Sequence, residues 1–147
     1  MSKILIVGGS SGIGLATAQL FAERKHKVTI ASRNAAGLDH PGFCKVNLDF
    51  TDKAAIKTFF EVYSDFDYVI VTATTPLAMG SFLSINLTDA KKSFDRFWGM
   101  VNVARYAAEH PKNLKAITLI SGAAADKRGA FVTYLATGST PRLECIG

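Results

Sequence analysis

With 147 residues and a net charge of +5, the chain suits one domain and can bury a sizeable core. No apolar run is long enough to span a bilayer and the N-terminus lacks a charged-then-apolar leader, so the expectation is a cytoplasmic protein without a membrane partner. The lysines and arginines are scattered apart from small groups such as Arg24-Lys25-Lys27, Lys91-Lys92 and Lys127-Arg128, which argues against a nucleic-acid partner.

The first element is the apolar, β-branched run Ile4-Leu5-Ile6-Val7, too short for a globular helix and bounded by glycine, which predicts a strand buried on both faces. A glycine loop follows. From Leu15 onward Leu15, Ala18, Leu20, Phe21 and Ala22 return at roughly helical spacing. The usual dinucleotide spacing G-x-G-x-x-G fails because Thr17 takes the third place after Gly12 and Gly14. A mononucleotide P-loop fails because no Gly-Lys-Ser/Thr closes the loop. What remains is Gly8-x-x-x-Gly12-x-Gly14 between a strand and a helix. The first glycine allows a sharp turn off the strand, and the later ones allow backbone to approach a ligand and the helix to pack close to the sheet.

This pattern resembles the first strand-helix turn of the short-chain dehydrogenase/reductase family. The resemblance implies an α/β fold, a Rossmann-like doubly wound parallel sheet of about five strands here, without the C-terminal strands of the full fold. It also implies a nicotinamide cofactor held by Gly8, Ser10, Ser11, Gly12, Ile13 and Gly14.

Residues 27–31 read as a second strand, after which Arg33 stands where an acidic residue would bind a ribose 2′-hydroxyl and an arginine accommodates a 2′-phosphate. The forked guanidinium matches a phosphate, so the expected cofactor is NADP (NADPH). Residues 34–42, broken by Gly37, Pro41 and Gly42, leave room for little helix. A third strand is expected over 43–48. Asp49 follows it, near the adenine by family resemblance, with turn formation or capping an equally good account of its carboxylate. Asp52 or Thr51 would cap a helix over 53–63, with Ala55, Ile56, Phe59, Phe60 and Tyr63 on one face. The fourth strand, 68–71, runs into Thr72-Ala73-Thr74-Thr75, where the family typically has Asn-Asn-Ala-Gly. Ala73 is small enough to leave room for the cofactor, but the usual amides are gone, which points to a divergent branch.

After a loop, Thr88 is expected to cap one long helix over 89–110, ended by Pro111. Its apolar residues, Phe94, Phe97, Trp98, Met100, Val101, Val103, Ala104, Tyr106, Ala107 and Ala108 among them, go round most of the circumference, which predicts burial on every side. One face can cover the sheet and the rest needs another partner, either a later part of the chain or a second subunit, and by resemblance family members commonly dimerise through this helix. A homodimer or higher oligomer is therefore expected. A fifth strand over 114–120 ends at Ser121.

Thirteen positions separate Ser121 from Tyr134, the Ser-to-Tyr interval that the family uses for catalysis. By resemblance Tyr134 is the acid/base and Ser121 the orienting hydroxyl for a small carbonyl or alcohol substrate. The family's lysine belongs four positions after the tyrosine, and Gly138 stands there. Gly138-Ser139-Thr140-Pro141 is a string of helix breakers, so the reading is a domain over 1–136 and an irregular tail over 137–147. The family's long helix and last strands do not follow, as a C-terminal truncation with an altered reading frame would explain. Two functions stay open: an NADP(H)-dependent short-chain oxidoreductase, or a dinucleotide-binding protein without turnover. Cys44 and Cys145 lie far apart without metal-like partners and are expected to be free thiols, and no metal site is expected.

Overall fold

The computed structural model describes residues 1–79 and 83–121. Its centre is β1 (Lys3–Val7), whose Ile4, Leu5, Ile6 and Val7 are each at most 1% exposed, as a strand covered on both faces requires. Around it lie β2 (Lys27–Ser32), β3 (Cys44–Asn47), β4 (Tyr68–Val71) and β5 (Ala116–Leu119). All neighbours pair in parallel, in the order β3-β2-β1-β4-β5. This is the expected Rossmann-like doubly wound sheet. Val7 sits opposite Ala31 on one side and Val71 on the other, so the carboxyl ends of the three central strands finish level with one another.

Side chains of β1 alternate between two cores, as the two-residue period of a strand dictates. Ile4 and Ile6 pack with Ala18, Leu15 and Phe21 of α1 (Gly12–Glu23) and with Val28 and Ile30 of β2. Leu5 and Val7 pack on the opposite face with Ile56, Phe59 and Phe60 of α2 (Lys53–Val62). Met100, Val103, Tyr106 and Ala107, four residues of one helical face, complete that second core. Asp52 caps α2, its carboxylate accepting from the Ala54 and Ala55 N–H groups at 2.9 and 3.1 Å. Between β2 and β3 the crossover holds one 3-10 turn (Ala35–Gly37), in keeping with its glycines and proline.

The chain divides into two compact units, the first made of Met1–Thr74 and Trp98–Ile120. The second, among the described residues, holds Thr75–Phe97 and Ser121. Here two sequence expectations need correcting. The single helix over 89–110 is two helices, α3 (Leu87–Ser93) and α4 (Asp95–Glu109), and the cap is Asn86 rather than Thr88. The Asn86 side chain accepts from the Thr88 and Asp89 N–H groups at 2.8 and 3.2 Å. The break falls after Ser93, whose buried hydroxyl donates to the Asp89 carbonyl at 3.0 Å and accepts from the Ala78 N–H at 2.7 Å. The next N–H, from Phe94, turns to the Lys91 and Lys92 carbonyls, tightening the last turn and stopping the helix.

Burial on every side is corrected as well. The buried residues of α4 are Gly99, Met100, Val103, Tyr106 and Ala107, while Trp98 is 58% exposed. Gly99 allows the close approach: a Cβ there would stand 2.5 Å from Cδ2 of Phe50 and 2.6 Å from the Phe50 carbonyl oxygen.

Candidate functional site

Strands β2 and β3 lie on one side of β1, and β4 and β5 on the other. The strand order therefore reverses direction between β1 and β4, and in open α/β sheets ligands bind above the carboxyl ends of the strands at that point. The glycine turn is what occupies it. Gly8 leaves β1 with φ +91°, its N–H donating to the Ala31 carbonyl at 2.8 Å. A Cβ on Gly8 would stand 2.4 Å from the Ala73 nitrogen, so both the dihedral and the space demand glycine. Gly12 also has a left-handed φ of +52°, but nothing lies within 4 Å of where its Cβ would be. Gly14 is the packing glycine, with no room for a Cβ between the Gly8 carbonyl at 2.3 Å and the Thr72 hydroxyl at 2.5 Å.

Helix α1 begins at Gly12, ahead of the apolar periodicity that starts at Leu15, so two of the three glycines lie inside its first turn. Ser11 holds the N-cap position in an extended conformation, and its side chain makes no capping hydrogen bond. The first-turn N–H groups are thus not closed off by their own cap residue, at the positive end of the helix dipole. Ser11, Gly12 and Ile13 are exposed, Ser10 is half-buried and Gly14 is buried.

The neighbouring strand ends contribute the rest. Ser32, the last residue of β2, has a buried hydroxyl without a hydrogen-bond partner, and Arg33 beside it is exposed. Beyond β3, Asp49 accepts from the Thr51 N–H at 2.9 Å and the Thr51 hydroxyl at 2.8 Å, the turn-forming role open to it in sequence. These bonds, with a smaller contribution from the charge of Arg33, hold its carboxyl below the usual range. Ala73, half-buried past the end of β4, donates its N–H to the Val7 carbonyl at 3.0 Å. Gly8, Gly12, Gly14, Arg33, Asp49 and Ala73 therefore all stand just past the carboxyl ends of neighbouring strands. Ser121 is exposed and follows β5 within the second unit. Tyr134 lies outside the described residues.

Two contributors escaped the sequence reading. Thr72 donates its hydroxyl hydrogen toward the carbonyls of Val7 and Gly8, at 3.2 and 3.1 Å. Gly9 is tight against Ile30, whose Cγ2 would stand 2.9 Å from a Cβ there. Neither carries a local signal, since each partner lies more than twenty residues away. A cleft of about 460 Å³ lies at the other end of the strands, beside Lys3, Lys27, Cys44 and Asp65, and takes no part in this arrangement. Among the described residues no helix is long and apolar enough to cross a membrane, and no cluster of three or more His, Cys, Asp or Glu side chains could hold a metal.

A parallel sheet with a glycine turn over its topological switch point defines a Rossmann-like α/β protein. More narrowly, the chain belongs to the short-chain dehydrogenase family, whose model matches residues 2–139. It is 32% identical over 143 residues to an uncharacterized oxidoreductase of Schizosaccharomyces pombe, across 89% of this chain and 58% of that one. A crystal structure of a small-chain dehydrogenase matches with a TM-score of 0.76 at 32% identity, covering 91% of this chain and 63% of that one. A second crystal structure, of a small-chain dehydrogenase in complex with NADPH, matches with a TM-score of 0.73 at 29% identity, over 91% of this chain and 56% of that one. The chain thus spans less than two thirds of the length of each of these relatives.

Proposed function

We propose that this chain supplies the NADP(H)-binding part of a short-chain oxidoreductase acting on a small carbonyl or alcohol. The observation that carries the reading is the turn over the switch point. Gly12 has open space in front of it, Ser11 leaves the first helical N–H groups uncapped, and those groups suit a pyrophosphate. At the end of β2 the orphaned Ser32 hydroxyl and the exposed Arg33 offer a hydrogen-bond partner and a positive charge, and Arg33 favours a 2′-phosphate over a bare ribose. The chemistry that NADPH supplies when bound is a hydride. The chain's own part in reduction would fall to Tyr134, as proton donor to the developing alkoxide, and to Ser121, as the hydroxyl that orients the carbonyl.

A second reading, binding without turnover, is favoured by Gly138. A phenol's pKa of about 10 is brought down by nearby positive charge, and residue 138 cannot provide it in this chain. Titration with NADPH and NADH, beside NADPH oxidation with a panel of ketones and aldehydes, separates the two. Tighter NADPH binding with turnover supports the enzyme, and binding alone supports the second reading. Failure to bind either cofactor overturns both. Self-association through the 89–110 region is also proposed, since Phe94 and Trp98 are 41% and 58% exposed; a monodisperse monomer in light scattering would refute it.

A further inference from the structure

Thr72 follows the last residue of β4 and faces the turn that leaves β1. Its backbone N–H donates to the Val7 carbonyl at 2.8 Å, and the same carbonyl accepts the Ala73 N–H at 3.0 Å. Val7 is therefore satisfied without the Thr72 side chain. The hydroxyl has a single hydrogen, and its distinctive acceptor is the Gly8 carbonyl at 3.1 Å. A Cβ on Gly14 would stand 2.3 Å from that carbonyl oxygen and 2.5 Å from Thr72 Oγ1, so the absence of a side chain at Gly14 lets the first turn of α1 sit low over this hydrogen bond.

We propose that Thr72 is a positioning residue for the nucleotide, a role that rests on the NADP(H) reading above. Gly8, at φ +91°, is joined to a second glycine, so little in its own backbone prevents the peptide between them from rotating. A rotated peptide would carry its carbonyl oxygen, partly negative, away from the sheet and toward the space where a phosphate would lie. The Thr72 hydroxyl holds that oxygen down. It thereby keeps the amides of residues 12–14 as the groups presented to an anion, and a preformed site binds more tightly than one that must be ordered. Because this contact lies at the turn rather than at the end of β2, its loss weakens NADPH and NADH by the same factor.

The test uses Thr72→Val, which keeps the shape and removes the donor, and Thr72→Ser, which restores it. Three readouts are taken: affinity for NADPH and NADH, amide hydrogen exchange over residues 8–15 in the cofactor-free protein, and the urea midpoint. Thr72→Val is expected to weaken both cofactors about tenfold. It should also speed exchange over 8–15 several-fold while leaving α2 (Lys53–Val62) unchanged. Thr72→Ser should return both to within about twofold of the parent protein, the usual scale for a restored hydrogen bond. Unchanged exchange, weakening of one cofactor only, or failure of Thr72→Ser to rescue overturns the proposal. If Thr72→Val does not fold, Thr72→Ala removes the same donor without the branched bulk; if that fails too, the hydroxyl is a stability element and the proposal falls. Should the parent protein bind neither cofactor, the NADP(H) reading fails, while exchange over 8–15 still decides whether Thr72 holds the turn.

Discussion

A Cβ placed on Gly14 would stand 2.3 Å from the carbonyl oxygen of Gly8, so α1 can rest on the turn after β1 only while residue 14 has no side chain. Gly12, two residues earlier, has nothing within 4 Å and owes its identity to its φ of +52° alone. The two glycines therefore differ in what a methyl group costs. Gly12→Ala should lose roughly 1–2 kcal/mol, the penalty for a left-handed non-glycine residue. Gly14→Ala gains up to about 1 kcal/mol of helix propensity but meets backbone that cannot yield. Overpacking of that kind costs typically 1–3 kcal/mol or more, and lifting α1 would also disturb the proposed anion site. Urea unfolding of both variants checks the stability order, and a nucleotide titration of Gly14→Ala checks the second effect.

Arg33 tests cofactor choice. It stands exposed just beyond β2, beside the unpartnered Ser32 hydroxyl. A charge-assisted hydrogen bond to phosphate contributes roughly 1.5–3 kcal/mol, so Arg33→Ala should weaken NADPH by about 10- to 100-fold. NADH affinity should stay within about twofold, since it lacks the 2′-phosphate. Equal losses for both cofactors, measured by titration, would remove Arg33 from the recognition of that phosphate.

Asp67 ties the start of β1 to the approach to β5. Its carboxylate accepts the Lys3 N–H at 2.8 Å and pairs with Lys115 Nζ at 3.0 Å. The bond from Lys3, then the one from Lys115, holds its carboxyl below the usual range. A carboxyl whose folded pKa is lowered contributes stability that is present above the unfolded pKa of about 4 and is lost as pH falls through the folded value. Asp67→Asn should therefore be less stable than the parent near neutral pH, with the gap closing below about pH 4. Urea midpoints across an acid series read this directly, and a gap that persists undiminished at low pH would exclude the ionised carboxylate as its source.

Lys25 offers a stabilising change. It ends α1 with a left-handed φ of 62°, its N–H donating to the Ala22 carbonyl at 2.9 Å and the next N–H, of His26, to Phe21 at 3.0 Å. Glycine is the usual residue in such a C-terminal turn because it has no Cβ to strain. Lys25→Gly should raise stability by about 0.5–1 kcal/mol, less whatever entropy the unfolded chain gains. Thermal and urea unfolding measure it, and a loss of stability would mean that the lysine side chain contributes more than its backbone costs.

Much of the scaffold was legible because it depends on neighbours a few residues apart. The apolar run of β1, the run Tyr68–Val71 of β4 and the cap that Asp52 places on α2 all follow from local spacing, and each is found at or within a residue of where the sequence puts it. The glycine spacing likewise marked the turn, and Ser121 with Tyr134 is legible as an interval, although Tyr134 lies outside the described residues. The division of the long apolar segment into α3 and α4 was not legible, because it turns on Ser93 meeting the Ala78 N–H fifteen residues away. Nor was Thr72 on the Gly8 carbonyl, a contact across 64 positions that no periodicity encodes. The sequence determined which segments become strands and helices and where backbone could bend, since propensity and periodicity act along the chain. Only the tertiary structure decided which polar atoms meet across the sheet, because those partners are chosen by strand order and packing, and sequence spacing carries no record of either.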